Sequence, residues 1–79
     1  MNKLERSKLE AIKLSIESSI TEAEAVQKAL EKKIKNLNNK FPDSPQKEKL
    51  EDEVFDLDNA IGEMYLACSF MRQALEGRS

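Results

Sequence analysis

Apolar residues recur along the first half of the chain at Leu9, Ile12, Ile16, Ile20, Ala23, Val26, Leu30, Ile34, Leu37 and Phe41. The steps are threes and fours, which keeps all of them near one face of an α-helix. Nine steps cover 32 residues, about 3.56 per step, so only mild supercoiling is expected. Lys, Glu, Ser and Gln fill the positions between, as a solvated face requires. The pattern stops at N-N-K-F-P-D-S-P, Asn38 to Pro45. Pro42 pushes Phe41 away from helical geometry and has no N–H to donate to the preceding turn. Ser44 then offers a capping hydroxyl, and Pro45 suits the first helical position after it. From there Leu50, Val54, Leu57, Ile61, Met64, Cys68, Met71 and Leu75 alternate steps of four and three, a heptad seam without a fault. Gly77 follows the last seam residue, where a C-terminal cap belongs.

The pattern predicts an all-α fold, an antiparallel two-helix hairpin within a single domain 1–79. Helix 1 is expected over about 3–39, the turn over about 40–44 and helix 2 over about 45–76. Charge bears on the pairing. Lys28, Lys32, Lys33, Lys35 and Lys40 crowd the end of helix 1, with Glu31 the only acid among them. Glu48, Glu51, Asp52, Glu53, Asp56 and Asp58 crowd the start of helix 2. In a hairpin turning near Pro42, facing residues have numbers summing to about 85. That sets Lys32 by Glu53, Lys33 by Asp52, and Lys28 by Asp56 or Asp58. Such exposed pairs contribute roughly 0.2–1 kcal/mol each and mainly set register.

One feature does not fit a simple hairpin. Met64 to Met71 is apolar almost all the way round, while helix 1 can cover only the seam. Stepping about 100° per residue from Ile61 puts Phe55, Leu66 and Phe70 roughly 120–180° away, on the back of helix 2. With Asn59 and Gly62 they make a second line. Mid-helix glycine costs about 1 kcal/mol relative to alanine, which suggests a notch at Gly62 for a close neighbour. A third, small line, Ala60, Ala67 and Ala74, is matched by Ala11, Ser18 and Ala25 on helix 1. The two small lines are expected to flank their seams on one side and leave a shallow face. A rod of two helices has no third element to bury its flanks, and a chain this size draws only about 3–5 kcal/mol from its own core. The hairpin is therefore expected to complete a four-helix bundle by dimerisation or partner binding. Phe55, Gly62, Tyr65, Leu66 and Phe70 are the candidate partner-binding residues, since aromatic anchors on a helix face are hot-spot chemistry.

Composition removes most other functions. There is no histidine among 79 residues, so the commonest general base and the commonest metal ligand are both missing. Cys68 lies on the seam with no histidine to activate it and reads as a buried, inert thiol. Asp56 and Asp58 have the opening spacing of a calcium loop, but Ile61 stands where its turn glycine must be. No catalytic residue, metal site or cofactor is expected, and the chain reads as not an enzyme. A net charge of -2 leaves no electrostatic footprint for nucleic acid. No apolar run approaches a membrane span and no signal segment is visible, so a cytoplasmic home and no membrane contact are expected.

The layout of the whole chain resembles plasmid-encoded RNA-binding regulators of the Rop type, small hairpins that dimerise into bundles. The alternative this implies is RNA binding through Lys3, Arg6, Lys8 and Lys13, with Arg72 and Arg78 across the hairpin. The architecture also resembles small co-chaperones of bacterial secretion needles and phage-encoded inhibitors of host proteins. Those likenesses imply an adaptor, chaperone or inhibitor whose partner is a protein, itself included as a homodimer.

Overall fold

The structure, a computed structural model, describes residues 1–77. It holds two helices, α1 (Lys3–Lys40) and α2 (Pro45–Leu75), and no strand among the described residues. Each starts on a sequence signal. The Asn2 side chain accepts from the Glu5 backbone N–H at 2.8 Å, and the Glu5 carboxylate accepts from the Asn2 N–H at 2.8 Å. This reciprocal box satisfies two donors that a helix start leaves open. Ser44 Oγ accepts from the Gln46 N–H at 3.2 Å, with Pro45 at the first turn of α2. Gly77 has φ 75, the left-handed conformation that a residue without Cβ adopts at no steric cost.

The helices run antiparallel. Arg6 reaches the Leu75 carbonyl, Cys68 Sγ lies 4.0 Å from the Lys13 carbonyl, and Tyr65 meets Glu24. The numbers fall on one helix as they rise on the other. Ile20, Ile61 and Cys68 are the buried apolar centre, with Ile16, Ala23, Leu57 and Met64 packed against them. All eight expected seam residues of α2 are buried or half-buried.

The seam of α1 differs from expectation. Its inward residues are Leu9, Lys13, Ile16, Ile20, Ala23, Gln27, Leu30, Ile34 and Leu37. These steps alternate four and three without interruption, so α1 matches the heptad of α2. Ile12 and Val26 are displaced outward, 51% and 53% exposed, and Phe41 is exposed beyond the helix end. The cause is continuity of the stripe. Two helices that both bury a 3.5-residue repeat keep contact along their length, and two polar residues in the seam cost less than two breaks in register. Lys13 and Gln27 manage this by burying their stems and sending their polar ends to Glu17 and Asp58.

The expected ion pairs across the hairpin do not form. Lys28, Lys32 and Lys33 make no salt bridge with Asp52, Glu53, Asp56 or Asp58; the ion pair of Lys13 with Glu17, 3.4 Å, lies within α1. The sum of 85 matches height along the rod and ignores direction around each helix. Lys32 and Asp52 project from the backs of their helices, away from the groove.

The molecule is long and thin. Its extents are 57 × 19 × 13 Å and its radius of gyration is 17.7 Å, against about 11.6 Å for a globular chain of this length. It exposes 6160 Å², roughly 1,300 Å² more than a compact monomer of its mass would.

Candidate functional site

Phe55, Tyr65, Leu66 and Phe70 are 66%, 53%, 56% and 61% exposed. They ride on one rigid helix whose seam residues point the other way, so their exposure follows from the heptad itself. The structure does not bring all five candidate residues into one patch. Gly62, Leu66 and Phe70 stand one turn apart and form a continuous strip along the back of α2. Phe55 lies beyond Asn59, about 16 Å from Leu66 at 1.5 Å per residue. Tyr65 turns toward α1, where its hydroxyl donates to Glu24 Oε2 at 3.1 Å. That bond, then the nearby Glu24 charge, then partial desolvation hold the phenol above its ordinary pKa of 10.0.

Gly62 is open. A Cβ built there meets nothing within 4 Å, so no packing inside the hairpin demands glycine. The expected notch is free surface facing outward.

The flanks of the hairpin differ in chemistry, and the sequence reading missed this. On one flank α1 presents Glu10, Glu17, Glu24 and Glu31, each immediately after a seam residue and spaced by seven. Glu17 and Thr21 share a shallow cleft with Tyr65 and Arg72; Gln27 and Glu31 share another with Glu51, Phe55 and Asp58. This flank is rich in carboxylate. The other flank carries Ile12, Ser19 and Val26 from α1 and Ala60, Ala67 and Ala74 from α2, each immediately before a seam residue. It is apolar and low. The expected companions of the alanines, Ala11, Ser18 and Ala25, are instead exposed on the back of α1. The shift in the α1 seam carried them there. Placing Lys13 and Gln27 in the seam would have revealed both flanks, but a search for apolar residues passes over them.

Cys68 is buried, 4% exposed, and unpaired. No group of three His, Cys, Asp or Glu side chains converges as a metal-ligand set among the described residues. Of the basic residues considered for RNA, Arg6 is tied to the Leu75 carbonyl and Lys13 to Glu17; Arg78 lies outside the described residues. Among the described residues no helix is long and apolar enough to cross a membrane. No protein-family model, curated protein or solved structure matches the chain.

Proposed function

We propose that this chain is a non-enzymatic protein–protein interaction module, a helical hairpin that completes a four-helix bundle with a protein partner or a second copy. The C-terminal half of α2 is the principal contact, with Leu66 and Phe70 as anchors beside Gly62 and with Phe55 and Tyr65 at its margins. One observation carries the reading. Among the described residues only Ile20, Ile61 and Cys68 are buried, while Phe55, Tyr65, Leu66 and Phe70 on a single helix are each more than half exposed. Isolated surface apolar residues are ordinary, but a line of them on a rigid helix marks a surface made to be covered. Adaptor, chaperone and inhibitor are all roles such a surface serves.

The test is Phe70→Asp. Phe70 touches little in the hairpin, so helicity by circular dichroism should be retained. The oligomer mass should fall, or capture of a protein partner should be lost. A variant that sediments and binds like the parent overturns the reading.

A further inference from the structure

Two features of the surface bear on association: an exposed apolar flank, and charge at the turn end that forms no ion pair across the hairpin. The first is the apolar flank. Ile12 and Val26 stand 51% and 53% exposed on α1, beside the low row Ala60, Ala67 and Ala74 of α2. The second is the charge at the turn end. Lys28 to Lys40 on α1 and Glu48 to Asp58 on α2 share that end without an ion pair between them.

We infer that the apolar flank is the seam for a second copy of this chain, with the two turns at the same end and α1 of each copy lying on α2 of the other. This rests on the bundle reading above, but assigns contact with a second copy to this flank, leaving the back line of Leu66 and Phe55 to a different protein, and adds the orientation. Two stacked hairpins related by a two-fold axis have two choices. In the first the axis runs along the rod and α1 covers α2 of the second copy. In the second the axis crosses the rod and α1 covers α1, turns at opposite ends.

Packing favours the first. The same numerical rule that sets heights inside the hairpin then sets them between copies. Ile12 faces Ala74 of the second copy, Ser19 faces Ala67, and Val26 faces Ala60. Large residues meet small ones, and the layer keeps an even thickness. In the second arrangement the Ile12 and Val26 rows meet each other while alanine rows meet alanine rows. One side is then held apart and the other left hollow.

Charge favours the same choice. With turns together, the lysines of each copy lie over the carboxylates of the other, and symmetry repeats the contact. Lys33 comes level with Glu53 of the second copy on the flank they share. With turns apart, Lys28 to Lys40 would face the end that holds Lys3, Lys8 and Lys13, a like-charge juxtaposition. Area is sufficient. A face of 57 × 19 Å has a footprint on the order of 1,000 Å², against the ~800 Å² per partner of a standard interface.

Sedimentation equilibrium of the full chain tests the face. The parent should be a dimer. Ile12→Glu/Val26→Glu, both at sites exposed in the hairpin, should remain helical and sediment as a monomer, its dissociation constant raised at least ~100-fold. Ser19→Glu alone should act in the same direction and guards against a folding defect in the double variant. Phe55→Asp/Leu66→Asp should leave the dimer mass unchanged. If instead that pair dissolves the dimer and Ile12→Glu/Val26→Glu does not, the face is wrong while the bundle reading stands. If the parent is monomeric throughout, self-association fails, and capture lost on Phe70→Asp alone decides the partner reading.

Orientation is tested by a spin label at Asp43→Cys, since Cys68 is buried and the exposed thiol takes the label. Turns together give a separation of about two helix spacings, ~20 Å. A separation near the 57 Å length of the rod overturns the orientation.

Discussion

Tyr65 shows at the scale of one residue how this hairpin treats its polar groups. No histidine is available, and the phenol finds its partner in Glu24 across the helix pair, at 3.1 Å. The neutral hydroxyl is the donor, so the folded pKa lies above 10.0. The stability contributed by the bond is therefore whole below pH 10.0 and lost as pH rises through the folded value. Tyr65 is the only tyrosine and there is no tryptophan, so ultraviolet absorbance reports this group alone. A titration should give a midpoint above 10.0, and Glu24→Gln should move it back toward that value. An unchanged midpoint in the variant would mean that the contact with Glu24 does not persist in solution. Lys13 and Gln27 follow the same logic. Each sits in an apolar seam, and each is admitted because a carboxylate one turn away or across the hairpin takes its polar end. Ser19 and Thr21 likewise return their hydroxyls to the carbonyls of Ser15 and Glu17, at 3.1 and 3.3 Å, the local bond that lets such residues stay inside a helix.

At the scale of the element, the two helices differ in how much of their surface is committed. In α1 most apolar weight lies on one side, and its start is closed by the Asn2–Glu5 box. In α2 apolar residues occupy the seam, the alanine flank and the back line together. Gly62 is the weak point of that helix, mid-element and with open space where a side chain would be. Gly62→Ala should therefore stabilise the isolated hairpin by about 1 kcal/mol, a rise of roughly 4–8 °C in melting temperature for a domain this small. The same substitution should weaken partner capture if a neighbour uses the notch. Thermal melts with and without partner separate the two effects. A melting temperature that falls for the purified chain at high dilution would show that Gly62 meets more of the hairpin than its open surroundings allow.

For the whole molecule the controlling fact is shape. A rod with 6160 Å² exposed carries more surface than a compact chain of its mass, and the proposed association would cover part of it. With the apolar flank proposed for a second copy, Phe55 and Leu66 still look outward, so dimerisation and capture of another protein need not compete. In the proposed dimer, charge at the turn end sets the orientation. Lys33→Glu should weaken it when turns lie together, because Lys33 would meet Glu53 of the second copy as a like charge. Lys33→Glu/Glu53→Lys should restore it. With turns apart, Lys33 would lie near Lys8, and Lys33→Glu should strengthen association instead. Sedimentation at low salt reads the sign directly, and the difference should shrink by 1 M salt, where the Debye length is about 3 Å.

Much of the fold was legible along the chain because it rests on local rules. Helical period, the break at Pro42, the Ser44–Pro45 start and the Gly77 stop each follow from a few neighbouring residues and their backbone limits. The α2 heptad was equally plain, since every position in it is apolar. The back line of Phe55, Leu66 and Phe70 could also be placed, because azimuth on a single helix is fixed by residue number. What only the tertiary structure decided was how α1 turns toward α2. Sequence pattern preferred Ile12 and Val26 in the seam; packing against a strict heptad chose Lys13 and Gln27. That rotation depends on the partner helix, which no local rule contains. It alone determines that one flank is lined with glutamates and the other with isoleucine, valine and alanine, and that Lys28, Lys32 and Lys33 form no ion pair with the acids of α2.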